Sequence, residues 1–437
     1  MLKRLAQLIL INVVACGACS AQGSADSARP SAAADVLSET NSNEAVNAGG
    51  ASPNVTIGSG TICPKMSAEM ARISGSPLWL QSFDVHEITS VASDSRGNVV
   101  LARAGAGVSK LGCDGAQLWS QPFGAQLAID DHDEVYVAGA FTGALAIGAT
   151  TLEAQGTEAF LVKLDADGNA VYARSLGAAA DGAVESVAVD SAHEVAISGP
   201  VLGTVKLDSA GGVLWRKAFS GQLRFDAGGN LLVAGQLVGS LDFGAGTLTS
   251  QGGSDILLLK LAADGTPIFS RSYGDAGALQ RADALAVDGH DNIVIAGTFD
   301  GRVDFGAGAL DMVPAQCSSD AWCVTDGFVA KFDAQGQAVW SVALGPMRAV
   351  SGAAVDVNGA ILLSGALPGG VRPFRQTWLA KLDEKGAELW HRSEWPDSGI
   401  GAGHEVAVDR DAQVFWALSA RPSLELEEQS YLVKLSP

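Results

Sequence analysis

The residues of this 437-residue chain whose types could do chemistry are six histidines, six cysteines and a recurring series of aspartates and lysines. The histidines are His86, His132, His193, His290, His391 and His404, and none falls in an HxH or HExxH arrangement. That spacing offers no metal ligand set, so no metal is expected. His132, His193 and His290 lie in repeated turn segments and read as turn residues. Asp165-Ala166-Asp167-Gly168-Asn169 has the opening of a calcium loop, but the twelfth position, which should be Glu, is Leu176. No GxSxG elbow surrounds a serine. Gly306-Ala307-Gly308 follows an Asp-Phe pair and lacks the strand–helix context of a phosphate cradle. No catalytic residue and no cofactor is assigned.

The cysteines divide by position. Lys3 and Arg4 precede an apolar run from Leu5 to Ala15, about 11 residues long, which is an export signal and too short to span a bilayer. Val13-Val14-Ala15-Cys16 resembles the bacterial lipobox, with Cys16 as the lipidated residue and Cys19 as the second choice. The plainer reading is an ordinary secretory signal cleaved near Ala18 or Ala21. Four cysteines remain, and in an exported protein an even count favours disulfides. Cys317 and Cys323 lie six apart in one loop, and Cys63 and Cys113 can pair. Zinc is the rival reading, but the spacing is wrong for two CxxC knuckles and no His lies close by. Trp322, inside that loop, and Trp395 match no repeated position, so they are candidate contacts for sugar or protein. Covering a local apolar patch is the competing explanation for each.

Positioning these residues is the work of a repeat. Gly makes up 53 of 437 residues, about 12%, and charged residues only 17%, against usual values of about 7% and about 25%. Low charge with abundant Gly points to many tight turns between short strands. The net charge of −20, with no Lys/Arg cluster, argues against nucleic acid and against membrane attachment by bulk charge. Residues 20–60 are Ala, Ser, Gly, Asn and Asp with few bulky apolar groups, a composition that suits a flexible tether.

From residue 75 onward one hairpin recurs as VASD-SRGN-VVLAR, LAID-DHDE-VYVAG, VAVD-SAHE-VAISG and four further copies, with Asp94, Asp130, Asp190, Asp226, Asp288, Asp356 and Asp409 at its turn. A second hairpin carries Lys110, Lys163, Lys206, Lys260, Lys331, Lys381 and Lys434. Nine residues after each of the first six stands an aromatic: Trp119, Tyr172, Trp215, Phe269, Trp340 and Trp390. Lys434 has none because the chain stops, and the missing strand is the stretch around Trp79. Four strand types occurring seven times predict an all-β, seven-bladed β-propeller of four-stranded blades, its ring closed by an N-terminal strand that completes the last blade. The domains are then 1–19 signal with lipobox, 20–60 tether and 61–437 propeller.

The segments FVAKFDAQGQAVWSVALG, ALAVDGHDNIVIAGTFDGRVDFGAGAL and GSLDFGAGTL resemble the bacterial β-propeller repeat of large exported and surface proteins, over roughly residues 75–437. The resemblance implies a seven-bladed propeller on an exported protein and brings no catalytic residues with it. Asp383-Glu384-Lys385-Gly386-Ala387-Glu388-Leu389-Trp390 is similar to the tryptophan-docking motif of quinoprotein propellers, whose enzymes also need a metal and quinone site not found here. Non-catalytic relatives of those propellers include lipoproteins that help assemble outer-membrane proteins.

Turn lengths inside the two hairpins are constant, whereas Asp-to-Lys separations run from 16 to 43. Strands alternate up and down, so the fixed turns share one face and the variable connections the other. Loops carry function more often than hairpin scaffolds, which makes the variable face, with excursions at 141–159, 236–256, 298–327, 366–377 and 394–405, the expected working surface. An enzyme would converge acid, base or metal groups at that mouth of the channel. The function expected is a binding or scaffold propeller, not an enzyme, monomeric in its head and contacting an unidentified protein or glycan at the cell envelope. It touches a membrane through the lipid anchor alone. The alternatives are a periplasmic propeller enzyme of quinoprotein type and an outer-membrane assembly scaffold. Cys16→Ala should move the protein from the membrane to the soluble fraction of lysed cells; retention there, unless Cys19→Ala then releases it, would show the lipobox reading to be wrong.

Overall fold

Each repeat spells four short apolar strands separated by Gly- and Asp-rich turns, and this is what forms. A computed structural model describes residues 75–83, 86–179, 184–244, 246–276, 279–313, 325–346, 348–368, 375–394, 400–421 and 429–437, all within the compact unit Cys63–Pro437. The described residues form seven four-stranded antiparallel sheets and no helix. Blade one runs from an inner strand, Ile88–Ser93, through Val99–Arg103 and Gly107–Leu111 to an outer strand, Gln117–Gln121. The inner strands of the next six blades start at Gln126, Ser186, Gln222, Gln280, Ala349 and Ile400. Each inner strand touches those of the two neighbouring blades, and the seventh touches the first, so they enclose a central channel.

The seventh blade is completed by Pro77–Phe83, paired antiparallel with Gln429–Leu435. At that seam two separate chain segments rebuild the turn that other blades make covalently. In blade six Gly386 N–H donates to Asp383 O (3.0 Å) and Ala387 N–H to Asp383 Oδ1 (2.8 Å). At the seam Gly75 N–H donates to Ser436 O (3.2 Å) and Ser76 N–H to Ser436 Oγ (2.9 Å). Ser436 thus stands in for the turn Asp and Gly75 for the turn Gly.

The nine-residue spacing is a cross-strand register. Lys110 pairs with Trp119, Lys163 with Tyr172, Lys260 with Phe269, and across the seam Trp79 with Lys434. Each aromatic ring lies against the turn glycine of the next blade. A Cβ at Gly168 would sit 2.7 Å from the Trp119 ring, and φ there is +85°, so both the contact and the backbone require glycine. Indole N–H groups of Trp79, Trp119, Trp215 and Trp340 donate to carbonyls of that same turn at 2.8–3.1 Å.

The length variation has a structural destination. In blade two the second and third strands continue into one long ribbon, Val135–Ile147 with Thr150–Leu164. In blades four and five an extra hairpin is inserted, Ser240–Asp242 with Thr247–Thr249 and Arg302–Asp304 with Ala309–Asp311. All three bend back outside their own blade. Their glycines Gly148, Gly244 and Gly306 come beside Ala170, Pro267 and Ala338, the first residues of the outer strands. Ile147, Phe243 and Phe305 are buried there in the cores between blades. Blades splay outward, so the gap between them widens at the rim, and these aromatic and aliphatic groups fill it.

Trp79→Ala should lower unfolding stability by roughly 3 kcal/mol, since it removes a packed indole and its hydrogen bond at the seam. Leu118→Ala, on an exposed outer-strand position, should change it by less than about 0.5 kcal/mol. Urea unfolding midpoints of the two variants measure the difference.

Candidate functional site

Two ends of the channel carry different chemistry. At the fixed-turn end, the seven aspartates are buried at the ends of their inner strands. Each carboxylate first closes its own turn: Asp94 Oδ1 accepts from the amides of Arg96 and Asn98, both at 2.9 Å. The other oxygen receives a buried lysine. Lys110–Asp94 and Lys260–Asp226 are 2.8 Å apart, and Lys331–Asp288 and Lys381–Asp356 are 2.9 Å apart. Burial pushes Asp94 up, but hydrogen bonds from Lys110 and Asn98 outweigh it and hold the carboxyl below its ordinary value. The same ammonium groups donate to the next blade's turn, as from Lys260 to Ala334 O at 2.8 Å. The lysine and aspartate series are therefore parts of the fold. Asp165 behaves likewise, accepting from the amides of Asp167 and Asn169 in a plain hairpin turn (3.0 and 2.8 Å).

Blade two departs from this pattern. Asp130 Oδ2 is taken by His193 Nδ1 of blade three at 2.9 Å and by the Tyr136 hydroxyl at 3.2 Å. Lys163 binds Glu134, at 2.6 Å, as Lys206 of blade three binds Glu194 in the equivalent turn, also at 2.6 Å. His193 adopts φ +59°, the position that three other blades give to Gly97, Gly229 and Gly359. From there its ring stacks on His132, with centroids 4.5 Å apart and planes 25° from parallel. Donor atoms of Asp130, His132, Glu134 and His193 all lie within 4.8 Å of one another. The expectation of no metal-ligand set rested on linear spacing, whereas this grouping is assembled in space. Asp130, His132 and Glu134 share one turn, but His193 lies about 60 positions further on in the next copy of the repeat, so no local spacing motif could have revealed the four together. The available signal was that both turns carry a histidine at places most other copies do not.

A cleft of about 210 Å3 opens beside this mouth between blades six, seven, one and two, lined by Val355, Val357, Val408 and Arg410 together with Asp94, Asp130 and Asp409. It lies on the face expected to be plain scaffold.

Toward the variable end, ionisable groups line the inner strands. Arg224 of blade four and Glu405 of blade seven attract each other; blades three apart in the ring meet only across the channel. Enclosure pushes Glu405 up to about 7 despite Arg224. Asp283 is likewise raised by burial, to about 6, although Arg281 Nε lies 2.9 Å from it. Glu87 is held low by its hydrogen bond from His404, with His404 Nδ1 at 2.8 Å. Acid–base groups are present at this mouth: Asp283 pairs with Arg281 of its own strand, Glu87 with His404 of the neighbouring blade, and Glu405 is attracted by Arg224 from across the ring.

Three of the five long excursions on this face are the rim-filling ribbons described above. What the variable face does expose are Val201, Val238, Leu279 and Val313, each more than half accessible, in the connections of blades three, four and five. Trp322, Trp395, Cys63, Cys317, Cys323, Cys16 and Cys19 lie outside the described residues, as do the tips of the 366–377 and 394–405 excursions. Cys113 is described, and its carbonyl accepts from Trp79 Nε1.

A carboxyl whose pKa is raised on folding costs stability wherever it is charged. The folded state holds the Glu405 proton more tightly than the unfolded chain, so stability falls as pH rises from its ordinary 4.5 through about 7. Glu405→Gln should therefore stabilise the protein at pH 8 by roughly 1–3 kcal/mol, with the gain vanishing near pH 4.5. Thermal unfolding of both proteins across that range measures it.

No protein-family model matches the chain, and no curated protein does. Solved structures similar to it include BamB from Moraxella catarrhalis, at 15% identity over 79% of this chain and 85% of that one, with a TM-score of 0.39. The Pan2 WD40 domain of Neurospora crassa is 10% identical over 83% and 96%, with a TM-score of 0.47. A protein of unknown function from Bacteroides caccae is 12% identical over 60% and 83%, with a TM-score of 0.34. At these identities the likeness is one of fold.

Proposed function

We propose that the protein is a propeller scaffold for protein–protein contact, exported to the cell envelope and held there through Cys16. The observation that carries the reading is the apolar exposure of the variable face: Val201, Val238, Leu279 and Val313, from three consecutive blades. Aliphatic groups gathered on one face of a rigid ring suit docking of another protein. The repeated polar groups, by contrast, are consumed inside the ring, lysine on aspartate and indole on carbonyl. Cys63–Cys113 and Cys317–Cys323 are the disulfides proposed for the head, with Trp322 and Trp395 as further contact residues on the same face.

Photo-crosslinking amino acids placed at Val238, Leu279 and Val313 should give protein adducts in intact cells. The same groups at Leu118 and Leu389, equally exposed but on outer strands, should give none. Equal yields from both sets, or none from the variable face, would remove the basis for this reading.

A further inference from the structure

We propose that Asp130, His132, Glu134 and His193 form a binding site for a divalent transition-metal ion, zinc in the first place, bridging the inner turns of blades two and three. Two imidazoles with two carboxylates are the donor set that borderline metals such as Zn2+ prefer. Asp130, His132 and Glu134 occupy alternate positions of one turn, and His193 enters from the neighbouring blade. The donors already lie within 4.8 Å of one another. A tetrahedral ion with bonds of about 2.0–2.1 Å holds its donors roughly 3.3 Å apart, so the widest pair closes by about 1.5 Å. Rotation of the exposed His132 supplies much of that.

Three features mark the cluster as more than a chance meeting of turn residues. Asp130 Oδ2 and His193 Nδ1 already face each other at 2.9 Å, so an ion taking the place of the shared proton need part them only to about 3.3 Å. Lys163 binds Glu134 through Oε2, which leaves Oε1 for the ion. Finally, in blades two and three the lysine bonds a turn glutamate at 2.6 Å rather than pairing closely with the aspartate as in blades one, four, five and six, which leaves Asp130 without an ammonium. Blade five supplies an internal comparison. His290 stands two residues after Asp288, as His132 does after Asp130, but the facing turn of blade six offers Gly359 where blade three offers His193. The junction of blades two and three places two histidines face to face.

The test titrates the purified full chain with ZnCl2 by calorimetry, with metal content measured after equilibrium dialysis. One ion per chain is expected, with Kd below about 10 µM. His132→Ala and His193→Gly should each weaken binding by at least about tenfold, while His290→Ala leaves it unchanged. Both site substitutions install residues that sister blades carry at those places, and Gly suits the backbone at residue 193, so folding should be retained; melting curves check this. His132 is exposed, which keeps its variant decisive if the other is unstable. Absence of stoichiometric binding, equal weakening by His290→Ala, or full binding after His132→Ala would each overturn the proposal.

Discussion

The structure depends on a shared carbonyl. Ala166 O, in a turn of blade two, accepts from both Lys110 Nζ and Trp119 Nε1 of blade one, and Ala263 O accepts the same pair from blade three. Through Lys110 that carbonyl is linked to Asp94, so one buried ammonium joins the inner turn of its own blade to the outer turn of the next. A buried ion pair is weak evidence for net stability, because desolvation offsets most of the attraction. Its value here is positional. A buried lysine left without its carboxylate is costly, so each blade is held at one angle to its neighbour, and seven such angles must sum to a closed ring.

Closure then fixes what the ends must do. The last lysine, Lys434, needs an outer strand beside it, and Pro77–Phe83 supplies one. The ring is sealed by hydrogen bonds in the same pattern as the internal turns, with the Ser436 hydroxyl replacing an aspartate. A Cβ on Gly75 would lie 3.4 Å from the ring of Trp390 of blade six, just as one on Gly386 would lie 3.0 Å from Trp340 of blade five. The seam is thus chemically a seventh copy of the turn, and no open sheet edge remains at the join.

A scaffold this constrained shows its function in its departures from symmetry. Where a residue occurs seven times it is accounted for by packing between blades. Where one copy differs, as Asp130 does in trading its lysine for His193, the local chemistry is free to serve something else. The same distinction separates the long excursions. Those at 141–159, 236–256 and 298–327 share a glycine-following-Phe-or-Ile pattern, and that apolar residue is buried at the rim in all three, so this part of each is structural. Exposed Val201, Val238, Leu279 and Val313 follow no shared pattern.

The blade number, the order of strands within a blade and the completion of the last blade by Trp79 were all legible in the chain, because hairpin periodicity and the Lys-to-aromatic spacing are local and repeated seven times. The separation of fixed from variable connections was legible for the same reason. What tertiary structure alone decided is everything between blades: that the ribbons fold back on the rim, that Arg224 and Glu405 attract each other from opposite blades, and that His132 and His193 stack. These contacts join residues from different copies of the repeat, at distances set by ring curvature. A repeat unit read along the chain determines its own hairpins, whereas the angle at which neighbouring units pack determines which of their side chains meet.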